Sequence, residues 1–173
     1  YANTNTIGLF GEAGTGKSHI LADLASYAIE QNQPAILLLG QQFKSGQPIN
    51  FCKNSLDWTD DFENLLGALD AAAQAKDCKS LFAIDALNEG NGKSIWPDEL
   101  AGFITRVSHF EHIGLVVSCR SNYRKRIFKN VNVDQFTEMQ HYGFYGYEEQ
   151  AAKKYMDERG IARPEAPFLD PEF

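Results

Sequence analysis

Five short apolar runs punctuate the chain, and stretches with apolar residues every three or four positions fall between them. Residues 6–10, Thr-Ile-Gly-Leu-Phe, read as a first strand. Residues 35–40, Ala-Ile-Leu-Leu-Leu-Gly, are apolar on both faces, which suits a strand buried inside a parallel sheet. Residues 80–87, Ser-Leu-Phe-Ala-Ile-Asp-Ala-Leu, carry one acid near their end. A fourth run, residues 113–118, leads into Cys119 and Arg120, and a fifth strand is predicted over residues 136–144, where the alternation is mixed.

The intervening periodicity predicts helices. Residues 18–31 place Ile20, Leu21, Leu24, Ala25 and Ala28 near one side, and Pro34 forces an end around residues 30–33. Residues 41–53, with their glutamines, Gly46 and Pro48, read as an irregular connection with a short turn at most. Over residues 56–76, Phe62, Leu65, Leu66, Leu69, Ala72 and Ala73 recur at helical spacing. Asp57, Asp60 and Asp61 suit the positive end of that helix, and Asp57 or Thr59 is the expected cap. Residues 88–93 read as a polar turn, after which Pro97 or Asp98 opens a helix carrying Leu100, Phe103, Ile104 and Val107. Residues 123–129 form a further helix or loop. Residues 148–159 form a polar helix closed by Gly160, and residues 161–173, with three prolines, should be largely irregular.

Strands alternating with helices predict an α/β fold, an open and mostly parallel sheet with helices on both faces. Ligands in such sheets gather beyond the carboxyl ends of the strands. Three chemistry-bearing stretches fall at such ends.

The first is Gly11-Glu12-Ala13-Gly14-Thr15-Gly16-Lys17-Ser18, which fits G-x-x-x-x-G-K-[ST] between a predicted strand and a predicted helix. Glycines there let the main chain approach an anion closely. The N–H groups from about Ala13 to His19 point at phosphate oxygens, and the helix dipole adds to their field. Lys17 supplies a charge for the outer phosphates, and the Ser18 hydroxyl can take one position on Mg²⁺. A plain glycine-rich turn would not need Lys-Ser after its last glycine.

The second stretch holds Asp85 and Glu89. A carboxylate ending a buried strand beside a phosphate loop is placed to hold Mg²⁺, often through water; its structural alternative is a cap on the following turn. Glu89, four residues on, can project over a γ-phosphate and orient the attacking water, or it is an exposed loop glutamate. Asn88 is a neighbouring candidate for the same task. The third stretch ends on Arg120, whose guanidinium would lie beside the phosphate loop and stabilise transition-state charge, or pair with a surface acid.

Composition narrows the classes. The 173 residues suffice for one ordinary domain spanning 1–173, and a start at Tyr1 suggests a piece of a larger multidomain protein. A net charge of -7 argues against nucleic-acid binding by the domain as a whole. The basic group Arg120, Arg124, Lys125, Arg126 and Lys129 is read as a solvated helix face. No apolar run approaches the roughly twenty residues of a membrane span, so no membrane partner is expected. Cys52, Cys78 and Cys119 are odd in number and widely spaced, as in reduced thiols of a cytoplasmic protein. His19, His109, His112 and His141 lack metal-ligand spacing.

Taken together, the phosphate loop, Leu-Phe-Ala-Ile-Asp-Ala-Leu-Asn-Glu-Gly and Leu-Val-Val-Ser-Cys-Arg-Ser-Asn-Tyr resemble the nucleotide-binding domain of STAND NTPases. Within that class the chain is most similar to the bacterial antiviral Avs proteins, relatives of NACHT and NB-ARC domains. Leu69-Asp70-Ala71-Ala72, Trp96 and the tail Asp170-Pro171-Glu172-Phe173 look like the same group, so the resemblance covers nearly the whole chain. The loop is specific for a broad superfamily; Asp-Ala-Leu-Asn-Glu is much narrower.

The resemblance implies a P-loop NTPase fold with five strands in the order 5-1-4-3-2, and ATP and Mg²⁺ as cofactors. Gly11, Gly14, Thr15, Gly16, Lys17, Ser18, His19 and Arg120 would bind nucleotide, and Ser18 and Asp85 would serve the metal. Glu89 would be the hydrolytic or switch acid, with Lys17 and the sensor Arg120 beside it. The full-length protein would be an intracellular sensor that recognises a foreign, phage protein through a C-terminal region outside these residues, forms homo-oligomers and hydrolyses ATP slowly. NACHT domains usually carry Asp-Gly-x-Asp-Glu where this chain has Ala86 and Asn88, which leaves Glu89 without a second acid. Two other readings stand beside this one: a P-loop kinase phosphorylating a small molecule under an arginine lid near Arg124, and a nucleotide-binding module that does not hydrolyse.

Overall fold

Strand β1 (Thr6–Gly11) lies between two later segments of the chain, β4 (Ile113–Arg120) and β5 (Thr137–Gln140). β3 (Ser80–Asp85) and β2 (Ala35–Leu39) complete the sheet. In the computed structural model, which describes residues 5–44, 46–143 and 146–160, the strands run in the order β2-β3-β4-β1-β5 with every pairing parallel. Read from the other edge, this is the expected 5-1-4-3-2.

Successive residues of a strand face opposite sides, and the two cores divide accordingly. One side gathers Phe10, Leu38, Phe82, Ile84, Leu115 and Val117. Helices α2 (Pro48–Ser55), α3 (Phe62–Gln74), α4 (Gly92–Ser108) and α5 (Arg124–Ile127) contribute buried residues to it. The fully buried rings of Phe82 and Trp96 each meet Phe103, at centroid distances of 6.1 and 5.5 Å. The other side gathers Leu9, Leu81, Ala83 and Val116 under α1 (Lys17–Glu30). The last described helix, α6 (Glu148–Glu158), is followed by Gly160 in the left-handed conformation at φ 63°.

Several predicted bounds shift for identifiable reasons. α1 packs through Leu21, Ala25 and Ala28, while Ile20 and Leu24 are 39% and 40% exposed. Leu21 followed by the small Ala25 and Ala28, at four- and three-residue steps, brings the helix close to the sheet along a narrower stripe than expected. The expected connection over 41–53 gives way at Pro48 to α2, which runs on to Ser55 and buries Phe51 and Cys52 against Phe43 and its neighbours. Pro at the first helical position is a start signal. α3 begins later than expected, at Phe62, with Asp61 as its N-terminal flank; neither Asp57 nor Thr59 caps it.

α4 begins at Gly92, inside the expected polar turn, and carries Pro97 internally. The added turn holds Trp96 fully buried against Phe43, so burial of a large aromatic outweighs one missing helical hydrogen bond. β5 is only four residues long and exposed throughout, as an edge strand pairing on one side can be. The expected irregular segment 161–173 lies outside the described residues.

Candidate functional site

β3, β4 and β1 are neighbours, and their carboxyl ends open on one cavity of about 330 Å³. β1 delivers the loop, with Ala13, Gly14, Gly16, Lys17, Ser18 and His19 lining the space. β3 delivers Asp85, the turn after it delivers Asn88 and Glu89, and β4 delivers Ser118 and Arg120. Of the residues expected at the site, all but Gly11 and Thr15 line the cavity.

The loop's shape follows from its glycines. Gly14 and Gly16 have φ of 77° and 94°, left-handed values that disfavour any side chain. Gly16 precedes α1 directly, and no acidic side chain lies in the first turn of that helix, so its amide end is left to an external anion. Lys17 curls back over the loop. Its Nζ donates to the carbonyls of Gly11 (3.0 Å) and Glu12 (2.7 Å) and lies 3.4 Å from Thr15 Oγ1. Burial lowers the lysine's pKa below its ordinary 10.5, while Asp85 pulls it the other way.

Asp85 is buried and accepts a hydrogen bond from the hydroxyl of Ser118, which is fully buried. Directly after it Ala86 adopts φ 54°, a strained value for a residue with a side chain. That bend starts the turn that carries Glu89. Arg120 Nη2 donates to Glu89 Oε1 at 3.1 Å, joining two residues that the sequence placed in separate stretches. Asn88 is buried, and its side-chain oxygen accepts the Arg120 backbone N–H at 2.9 Å. Its oxygen therefore holds β4 instead of facing water or metal.

Two contributors escaped the sequence reading. Ser118 is one; a lone hydroxyl in an otherwise apolar strand, two positions before Arg120, was its only signal. His141 is the other. It follows β5, and its Nε2, as the protonated nitrogen, donates to the Thr15 carbonyl at 2.7 Å. Its own N–H donates to the Phe10 carbonyl, so the edge strand braces the phosphate loop from behind.

The donor set suits Mg²⁺ brought in with phosphate. A hydroxyl and a carboxylate, hard oxygen donors, share the cavity at Ser18 and Asp85. Among the described residues no group of three or more His, Cys, Asp or Glu side chains could hold a metal unaided. A cation here would complete its shell with phosphate oxygens and water. Among the described residues, no helix is long and apolar enough to cross a membrane.

No protein-family model matches the chain, and no curated protein matches it by sequence. Solved structures do. The chain is similar to the crystal structure of a DNA replication initiation factor, with TM-score 0.56, 14% identity and coverage of 94% of this chain and 48% of that one. It is similar to AMPPCP-bound DnaA from Aquifex aeolicus (TM-score 0.56, 13% identity, 94% and 47%). It is also similar to a chain of Drosophila ORC bound to DNA (TM-score 0.66, 17% identity, 92% and 43%). These likenesses, the strand order and the glycine loop define the fold as that of the P-loop NTPases. The chain spans about half the length of the structures it matches, or somewhat less.

Proposed function

We propose that this domain binds Mg-ATP and hydrolyses it slowly. The observation that carries the reading is the meeting of the phosphate loop, Asp85 and the Glu89–Arg120 pair in one cavity. Lys17 and the amides that open α1 would hold the phosphates. Ser18 and Asp85 would hold Mg²⁺, which would supply positive charge against the phosphates. Glu89 would orient water, and Arg120 would meet charge developing on the γ-phosphate. Because these two side chains engage each other, catalysis needs Arg120 to turn toward phosphate and free the carboxylate. AMPPCP on the matched DnaA structure supports adenine nucleotide as the ligand.

The finer reading is a nucleotide-dependent oligomerisation switch of a bacterial antiviral sensor of the STAND class. It rests on the likeness of Asp85-Ala86-Leu87-Asn88-Glu89 and of the β4 segment ending in Arg120 to the Avs group. Arg124, the lid candidate of a kinase, is instead paired with Glu138 and stacked over Phe10 at 5.5 Å, which weakens that alternative.

The test is nucleotide binding and turnover by the full-length polypeptide. Lys17→Ala should lose ATP binding, while Glu89→Gln should keep it and accumulate the ATP-bound state. Glu89→Gln turning over ATP at the parental rate would remove Glu89 from the mechanism. A parent that consumes ATP only when a small-molecule acceptor is added would replace hydrolysis by phosphotransfer.

A further inference from the structure

Ser118 sits in β4 between Val117 and Cys119, all three with no exposed surface. A buried hydroxyl in such surroundings is costly unless both its roles are filled. Here both are. Its oxygen accepts the Ala86 N–H at 2.7 Å, and its single proton goes to Asp85 Oδ1. The backbone of the same residue accepts the Leu87 N–H at 2.9 Å. One serine thus receives three consecutive residues of the neighbouring segment, and the left-handed turn at Ala86 accompanies this arrangement.

We infer that Ser118 is a positioning residue that fixes the Asp85 carboxylate and thereby sets how strongly the site responds to Mg²⁺. An aspartate at a strand end can rotate about its side-chain bonds. The Ser118 proton commits one oxygen, so the carboxylate is presented in one orientation. The Ala86 N–H polarises the hydroxyl and makes it a better donor. Hydrogen bonds to a metal-binding carboxylate from outside the coordination shell change affinity about 10- to 100-fold in other sites. The inference rests on the Mg-nucleotide reading of the cavity and concerns a residue whose hydroxyl is already committed to Ala86 and Asp85.

The experiment is equilibrium binding of a fluorescent, non-hydrolysable ATP analogue to the whole chain, with Mg²⁺ and with EDTA. The quantity read is the ratio of the two affinities. Ser118→Ala should shrink the parental ratio about tenfold or more, and Ser118→Thr, which keeps the hydroxyl, should restore most of it. Circular dichroism checks that each variant is folded. If Ser118→Ala does not fold, Ser118→Cys, with a weak donor of similar size, is expected to lose the ratio in the same way. A folded Ser118→Ala or Ser118→Cys with the parental ratio overturns the inference alone. A parent that binds the analogue equally with and without Mg²⁺ overturns the Mg-nucleotide reading and this inference with it.

Discussion

Arg120 and Glu89, 31 residues apart in the chain, form an ion pair at 3.1 Å across the mouth of the phosphate cavity. Both side chains are partly open to solvent, so the pair itself adds little stability. Its importance lies in what each partner is kept from doing. Arg120→Ala is expected to lower ATP turnover about 100-fold or more by removing a charge from the transition state, with a much smaller loss of affinity. Single-turnover kinetics with the full-length protein separate the two effects. Equal losses in binding and in turnover would make Arg120 a simple phosphate clamp.

Lys17 gives the site an alkaline limit. Burial disfavours its ammonium, so in the free site the proton leaves below the ordinary 10.5. Nucleotide affinity should therefore decline with rising pH earlier than an exposed lysine would allow. For stability the sign is opposite. The unfolded chain holds the Lys17 proton more firmly than the folded one, so raising pH toward 10.5 relieves the cost of burying the charge. Affinity falling while the fold persists by circular dichroism is the expected pattern; an affinity flat to pH 10.5 would exclude Lys17 as the charge that matters.

The glycines of the loop should not respond alike to substitution. A Cβ on Gly11 would lie 2.5 Å from the His141 carbonyl oxygen, a collision with backbone. A Cβ on Gly14 meets nothing within 4 Å, and its cost is the left-handed conformation alone, about 1–2 kcal/mol. Gly11→Ala should lower the melting temperature more than Gly14→Ala does. Similar melting shifts for both would mean that the brace from His141 gives way easily.

The thiols should separate by accessibility. Burial pushes Cys52 and Cys119 up to about 12, from an ordinary 9.0, so neither offers thiolate near neutral pH. Cys78 is only partly buried. Limited alkylation of the native chain at pH 8, read by peptide mass spectrometry, should mark Cys78 first. The same two thiols make the fold lose stability as pH climbs from 9 toward 12, because the unfolded chain ionises them first. Prompt labelling of Cys119 would show that the core it packs into opens more readily than its burial indicates.

β3 was legible because a parallel strand buried on both faces leaves a continuous apolar run, as at 81–84, with Asp85 marking where the run meets the cavity. β2 carries the same kind of run yet is an edge strand in which only Leu38 is buried, because its partly covered faces lie at the rim of the sheet. The phosphate loop was legible because its backbone shape demands particular residues. Helix starts were harder. α4 reaches back to Gly92 because Trp96 finds a pocket beside Phe43, a contact made by a distant segment that no local pattern reports. α2 had its signal in Pro48, outweighed by the polar residues around it. At the site, residue types identified Lys17, Asp85, Glu89 and Arg120 as candidates. Their pairing, and the parts played by Ser118 and His141, depend on which strands become neighbours.

The strand order also governs when the cavity comes into being. β1 pairs with β4, Thr6 opposite Leu115 and Gly11 opposite Arg120, and β3 lies on the far side of β4. The cavity therefore requires closure of a loop of about a hundred residues, and its brace arrives later still with β5. Contacts this distant form slowly and late. During synthesis the glycine loop emerges before β4, so it meets Ser118 and Arg120, its partners around the cavity, only after β4 has followed. Nucleotide can reward only the completed sheet, acting on the folded state and leaving the route to it unguided.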